Sequence, residues 1–352
     1  MAPDSREPGS DEVTGSGGAA STGSDQSNDA RATSERLDMA ILGEEPRHTA
    51  MDVASETGIT IDQARRLWRA LGFPEFATEK AFMDADIDAV GQLMSFVDAG
   101  AVDFDMAVNL TRGVGQTMAR LADWEVSTLV HRVEELESGD EATGSRITSA
   151  LRLIQEVNPP FEKLLVYSWR RHLAAAVARV EAMGAKDEDL HTIDVTVGFA
   201  DIVSFTTLSN EIDRDALGDL VELFESRCHD VISRHGGRII KSIGDSVLFV
   251  HVDAVDAVHI AEGIIKMIGR DPKMPDVRVG LASGPVVQRL GDVFGPPVNM
   301  AARLTQVARR NRVIVDQNTA ALLPDEDWES RPLTARPIRG FGLVEPVTVR
   351  HR

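Results

Sequence analysis

The stretch RIIKSIGDSVLFVH, residues 238–251, decides how the second half of this chain folds. Two runs rich in β-branched residues flank a Gly-Asp pair, a pattern that predicts a β-hairpin with a tight turn. Alternation along the first strand places Lys241 on the same face as Ile239 and Ile243, and Asp245 lies in the turn. A lysine there either binds an acceptor or protects an edge strand from aggregation, and an aspartate after glycine is common in turns.

The sequence around this hairpin predicts an α+β domain over residues 187–352. Runs such as TIDVTVGFADIVSF and NRVIVD alternate with helical runs. The order βαββαβ is typical of a ferredoxin-like sheet, and we expect helices to cover one of its faces. The expected elements are a strand over 193–200, a helix over 214–235, the hairpin, a helix over 254–268, a strand pair over 277–293 and a helix from Pro297.

The first half of the chain has a helical pattern instead. Apolar residues recur at spacings of three and four, which predicts an all-α domain over 37–160 and a connecting helix over 161–186. Residues 1–36 are dominated by Gly, Ser, Asp and Ala, and we expect them to be disordered because they cannot bury enough apolar surface.

One helix of this half is marked at both ends by its own sequence, TIDQARRLWRALGFP. Thr60 and Gln63 have the spacing of a capping box, and Gly72 followed by Pro74 predicts the C-terminal end.

The connecting helix carries six apolar residues in a short heptad pattern. Such a pattern is typical either of a parallel coiled coil between two chains or of one helix packed on its own domain, and both interpretations stay open. The six residues are Val166, Trp169, Leu173, Ala176, Val180 and Met183.

Composition excludes several classes of protein. The net charge of -19 argues against a surface built to bind nucleic acid or anionic lipid. Cys228 is the single cysteine, which excludes an intramolecular disulfide and fits a reducing compartment. No apolar stretch is long enough to span a membrane and no signal peptide is evident, so we expect a soluble cytoplasmic protein.

Asp201 and Asp245 are candidates for a metal site. Asp201 follows an apolar strand and Asp245 lies at the hairpin tip, so pairing of the hairpin with that strand would bring the two carboxylates together. Two carboxylates and a backbone carbonyl suit hard divalent cations that bridge to phosphate oxygens. The alternative is that both residues only stabilise turns.

A second candidate group lies in GDVFGPPVNMAARL, residues 291–304. Pro297 suits the first turn of a helix, on which Asn299 and Arg303 share one face. Arg303 offers a planar donor fork for phosphate, and Asp292 precedes the helix in a glycine-rich turn. Each residue also has a purely structural interpretation, such as a surface pair or a turn aspartate.

Three motifs together, FADIVSFT, KSIGDSVLF and GDVFGPPVNMAARL, resemble the class III nucleotidyl cyclase domain in order and separation. The resemblance covers about residues 190–350. It implies that Asp201, the backbone carbonyl of Ile202 and Asp245 hold two divalent cations, Mg²⁺ or Mn²⁺.

The resemblance also implies a substrate and an assembly. Lys241 and Asp292 correspond to the pair that reads the adenine edge, so ATP is the expected substrate and cyclic AMP the product. Asn299 corresponds to the residue that orients the ribose, and Arg303 to the residue that stabilises the phosphoryl group in transfer. Because the family's sites lie between two domains and this chain has all of these residues, a head-to-tail homodimer is expected.

The helical half resembles, loosely, the N-terminal regulatory regions of soluble bacterial cyclases. We expect it to regulate the catalytic domain, either as an inhibitor or by bringing two chains together. Some relatives respond to pH, and the nine histidines, among them His131 and His172, make a histidine switch one hypothesis.

DNA binding is the rival hypothesis for the helical half. VASETGITIDQARRLWRALGF is typical of a helix-turn-helix, with Arg65, Arg66 and Arg69 on its second helix. The cyclase-like domain would then sense a nucleotide without turnover. The acidic surroundings argue against this interpretation.

Overall fold

The structure is a computed structural model that describes residues 36–74, 79–140, 142–182 and 192–352. The chain forms two compact units that divide between Ala175 and Ala176. The predicted leader, apart from its last residue, and the predicted domain boundary at residue 187 lie outside the described residues. Within the described residues, no helix has the length and apolarity needed to cross a membrane.

The first unit is helical, as predicted. The helix Ile61–Leu71 begins with the predicted capping box. The Thr60 side chain accepts a hydrogen bond from the Gln63 backbone N–H, and the Gln63 side chain accepts one from the Thr60 N–H. Gly72 ends that helix in the left-handed conformation with φ of 85°, which confirms both predicted ends. The helices are residues 36–42, α1 (Ala50–Thr57), α2 (Ile61–Leu71), α3 (Asp84–Asp98), α4 (Phe104–Ser138) and α5 (Arg146–Ala182).

The core of the first unit joins α1, α2, α3 and the start of α4. Trp68 of α2 packs edge-on against Phe82, with ring centroids 4.7 Å apart. Gly115 of α4 lies so close to α2 that a Cβ on it would be 2.6 Å from Leu71 Cα. This close approach explains a glycine in the middle of a long helix.

Helix α5 continues through Pro159 and Pro160, so the predicted limit at residue 160 falls inside it. Trp169 and Leu173 of the heptad pattern are exposed, and Met183 lies outside the described residues.

The second unit is built on one mixed sheet in the order β2-β3-β1-β4-β6-β10-β7, with β5 paired to β4. Strand β1 lies between β3 and β4 and is antiparallel to both, which confirms the predicted ferredoxin-like arrangement. The elements are β1 (Thr192–Ile202), α6 (Phe205–Glu211), α7 (Arg214–Arg234), β2 (Arg238–Ile243), β3 (Ser246–His251), α8 (Ala254–Ile268), β4 (Val277–Arg289), β5 (Asp292–Phe294), α9 (Pro296–Val307), β6 (Val313–Val315), α10 (Gln317–Ala321), β7 (Trp328–Pro332), β8 (Arg336–Ile338), β9 (Gly342–Val344) and β10 (Val347–His351).

Helices lie on both faces of this sheet, and the expectation of one covered face was wrong. Helices α7 and α8 pack on the face that holds Phe249 and Leu281. Helix α9 packs on the other face, where Ala301 contacts the cluster that includes Leu248. The absence of a side chain at Gly280 permits this helix packing, because a Cβ there would clash with the Ala301 carbonyl oxygen at 2.6 Å. The position of α9 brings its polar residues to the face on which Asp201 lies.

Candidate active site

Asp201 lies at the end of β1, where three strands bring polar side chains together. It pairs in register with Ser246 of β3 on one side and with Arg278 of β4 on the other. The Ser246 hydroxyl donates to Asp201 Oδ1 at 2.6 Å. Arg278 donates to Asp201 Oδ2 from Nε at 2.8 Å and lies 2.6 Å from it through Nη2. These donors hold the carboxylate in one orientation.

Asp245 lies beside Asp201 because the hairpin turn is tied to the end of β1. Gly244 takes the left-handed conformation the turn needs, with φ of 58°. The backbone N–H of Ile202 then donates to the Asp245 carbonyl oxygen at 3.0 Å. The predicted juxtaposition of the two aspartates is therefore present.

The charge of this pair fits a divalent cation. Burial, and then the negative charge of Asp201, raise the pKa of Asp245 above its ordinary value. Within the described residues, no cluster of three His, Cys, Asp or Glu side chains is placed to hold a metal. A cation here would have two carboxylates and otherwise backbone, water or phosphate oxygens, a set that suits Mg²⁺ or Mn²⁺ better than a softer metal.

The pairing of Arg278 with Asp201 was missed by the sequence analysis. The arginine stands near the start of a strand, 77 residues from its partner. Only the antiparallel register of β1 and β4 brings the two together, and neither residue's local sequence carries that register.

Lys241 and Asp292 form an ion pair in which Lys241 Nζ lies 2.5 Å from Asp292 Oδ2. Both side chains are partly buried, with 35% and 26% of their surface exposed. Lys241 therefore has an acceptor, and does not merely protect a strand edge.

The prediction that Lys241 lies on the same strand face as Ile239 and Ile243 was wrong for Ile239. The register of β2 shifts between Ile239 and Lys241, so Ile239 pairs with Phe249 but Lys241 pairs with Leu248. A β-bulge of this kind places the two residues on opposite faces. The bulge turns Lys241 toward the face that also carries Asp201 and α9.

Asn299 and Arg303 lie on α9 and interact mainly within their own helix. Asn299 is exposed, and its Nδ2 donates to the Gly295 carbonyl oxygen at 3.5 Å. Arg303 Nη1 donates to Gln306 Oε1 at 3.2 Å. Among the described residues, no hydrogen bond or ion pair within 4.0 Å joins them to the aspartates or to Lys241.

The structure thus arranges the predicted residues as three groups on one face of the sheet. The two aspartates form one group, the Lys241–Asp292 pair forms the second, and the α9 side chains form the third. An electronegative pair beside positively charged donors can hold a cation and a polyanion together.

Known proteins match both halves of the chain. Residues 190–349 match the adenylate and guanylate cyclase catalytic domain, and residues 28–159 match the adenylate cyclase regulatory domain. An adenylate cyclase of Streptomyces coelicolor is 36% identical over 344 residues, covering 90% of this chain and 89% of the relative. An adenylate cyclase of Streptomyces griseus is 35% identical, covering 90% of this chain and 88% of the relative. A pH-sensitive adenylate cyclase of Mycobacterium tuberculosis is 27% identical, covering 88% of this chain and 81% of the relative.

Proposed function

The chain belongs to the adenylate cyclase family, whose members convert ATP to cyclic AMP and pyrophosphate, and we propose how its residues divide that work. The observation that carries the proposal is the ion pair of Lys241 with Asp292, and the two converging aspartates support it. The first pair reads the base, and the aspartates serve the triphosphate and the ribose 3'-hydroxyl.

Asp201, Asp245 and the backbone carbonyl of Ile202 hold two divalent cations, Mg²⁺ or Mn²⁺. When bound, these cations lower the pKa of the 3'-hydroxyl and neutralise charge on the triphosphate. Arg278 and Ser246 orient the Asp201 carboxylate through their hydrogen bonds. No covalent intermediate on the protein is required, because the 3'-oxygen attacks the α-phosphorus directly and pyrophosphate leaves.

The Lys241–Asp292 pair selects adenine. Lys241 donates to a ring-nitrogen acceptor, and Asp292 accepts from the exocyclic amine. Guanine presents a donor and a carbonyl oxygen at the same positions, so each contact would meet the wrong partner. Their mutual pairing holds both side chains in place.

Each site takes its aspartates from one chain and takes the Lys241–Asp292 pair, Asn299 and Arg303 from a second copy of the chain. Asn299 orients the ribose, and Arg303 stabilises charge on the phosphoryl group in transfer. The lack of a direct hydrogen bond or ion pair, among the described residues, between the aspartates and Asn299 or Arg303 of the same chain supports a head-to-tail homodimer with two equivalent sites. Exposed heptad residues on α5 supply apolar surface for the same association.

Mixing of two inactive proteins tests the shared site. Asp201→Ala and Asn299→Ala should each lose cyclic AMP formation from ATP. After subunit exchange in equal amounts, half of the dimers carry one intact site of two, so about a quarter of the wild-type rate should return. No recovery, with exchange verified by differently tagged chains, would overturn the shared site.

The helical unit regulates the catalytic unit, and proton binding is one candidate signal. His131 and His172 are exposed on long helices. His48 is better placed for a structural response, because it is mostly buried and its Nε2 lies 2.6 Å from Asp84 Oδ1. A pH scan from about 5.5 to 8 should change the activity ratio of full-length protein to a fragment from residue 187, and His48→Gln should flatten that change.

DNA binding receives less support. Helices α1 and α2 do form a helix-turn-helix. However, Arg66 is 2.5 Å from Asp105 and lies over the Phe104 ring, and Arg65 is 3.7 Å from Asp62. These arginines are engaged within the unit and are poorly available for phosphate contacts. Absence of duplex binding at low salt would dispose of this alternative.

A further inference from the structure

A cleft lies where α8 meets one end of the catalytic sheet, on the face opposite to the one on which α9 packs. Strands β6, β10 and β7 form that end, and β2, β3 and β1 form the other. β6 and β10 pair only where Val347 meets Val315 and Thr348 meets Ile314. Beyond that short pairing lies a cleft of about 550 Å³ with α8 as one wall. This volume is in the range of small-molecule sites.

Four basic side chains from four separate segments line the cleft. None of them has a carboxylate of the described residues within 4.0 Å. The whole chain has 56 acidic residues and 37 Lys and Arg. In so acidic a chain, four cationic side chains without a carboxylate partner around one concave surface are unexpected. The four are Lys266 of α8, Arg312 before β6, Arg331 of β7 and Arg350 of β10.

The charge of the cleft matches one phosphate group. Glu262 and Glu329 also line it, so the four cations leave an excess of two positive charges. A phosphate monoester carries about -1.5 to -2 at neutral pH. Like-charged side chains that face one cleft repel one another, and an anion between them relieves that repulsion.

The shape and lining indicate what else the ligand carries. Guanidinium groups bind phosphate oxygens in a bidentate manner, and three of the four cations are arginines. Ile265, Val313 and Val349 give the cleft an apolar part that a bare ion would not use. We propose that this cleft binds a small phosphate-bearing molecule at a site separate from the active site.

Calorimetric titration of the full-length protein with phenyl phosphate, without divalent cations and at fixed ionic strength, tests the site. Phenyl phosphate combines a dianion with a small apolar ring, and inorganic phosphate is titrated in parallel. Saturable binding of either probe is expected. Arg312→Gln/Arg350→Gln should raise the Kd at least about tenfold, because it removes two charge-assisted contacts.

The matched control is Arg309→Gln/Arg339→Gln, which removes the same charge from two exposed arginines that do not line the cleft. It should change the Kd less than about twofold, since only long-range attraction is lost. An equal loss in both double variants would overturn the proposal, as would the absence of saturable binding by either probe.

Binding in the active site gives a different pattern. Arg303→Ala should leave phenyl phosphate binding unchanged if the cleft holds the probe. Loss of binding in Arg303→Ala, with binding retained in Arg312→Gln/Arg350→Gln, would assign the probe to the active site and overturn the proposal. Circular dichroism of each variant verifies that these surface changes leave the fold intact.

Discussion

The catalytic and helical units bury their apolar residues to different extents. In the catalytic unit, α7, α8 and the sheet share a core in which Phe224, Phe249 and Ile264 are fully buried. In the helical unit, α4 exposes apolar residues at four-residue spacing, and α5 exposes the heptad residues Val166, Trp169 and Leu173. The exposed residues of α4 are Met106, Leu110, Val114 and Met118.

This difference separates folding from assembly. The catalytic unit has buried clusters of its own on both faces of its sheet, yet its candidate functional side chains lie in three groups, and among the described residues no direct hydrogen bond or ion pair joins one group to another. The long helices show the reverse, with little core of their own and apolar surface suited to a second chain. We therefore expect changes in the sheet to act on chemistry and changes in the long helices to act on association.

The largest expected effect comes from Asp245→Asn. Cyclic AMP formation should fall about 1000-fold, because the cation site loses a charged ligand. In contrast, the stability of the cation-free protein should increase.

The sign of the stability change follows from the raised pKa of Asp245. The folded protein binds this proton more tightly than the unfolded chain, so stability falls as the pH rises from the unfolded pKa through the raised folded pKa. At pH 7 the ionised carboxylate is therefore unfavourable, and Asn should raise the Tm by about 1 to 3 °C in a chelating buffer. A Tm below that of wild type under these conditions would contradict the conclusion that burial and the charge of Asp201 make the ionised Asp245 carboxylate unfavourable.

Lys241→Gln should have the next largest effect. The kcat/KM for ATP should fall about 100-fold, and the preference for ATP over GTP should narrow, because a charged donor to adenine is lost and Asp292 loses its partner. Rates with ATP and with GTP, for the variant and the wild type, measure both kcat/KM and the preference. Lys273→Gln, which removes an exposed lysine outside the candidate active site and the cleft, is the control and should preserve the ratio. An unchanged ratio in Lys241→Gln would remove the pair from base selection.

The same comparison shows which features are predictable from sequence. The capping box of Thr60 and Gln63 and the limits of α8 follow from residues close together in the chain, and both were predicted. The face of Lys241 was not, because a single bulged residue reverses the alternation of β2. The pairing of Arg278 with Asp201 depends on a long-range register.

Leu173→Glu should act on association and leave the chemistry unchanged. If two chains meet along α5, a charge in the seam weakens the dimer, and the protein concentration that gives half-maximal specific activity should rise about tenfold. The rate at saturating concentration should remain that of wild type. Arg170→Glu, on the same exposed helix outside the heptad positions, is the control. An unchanged concentration dependence in Leu173→Glu would favour a helix that does not join the two chains.

The smallest effects on activity, and the clearest separation of the two units, should come from a pair of glycine substitutions. Gly280→Ala and Gly115→Ala each place a Cβ within 2.6 Å of backbone atoms, those of α9 in one unit and those of α2 in the other. Each should reduce stability by about 2 kcal/mol, since backbone yields less readily than a side chain. Gly280→Ala should also lower kcat a few-fold, because it displaces the helix that carries Asn299 and Arg303. Gly115→Ala should leave the saturating rate unchanged, so an equal loss of rate in both variants would show that the packing of the helical unit reaches the catalytic side chains directly.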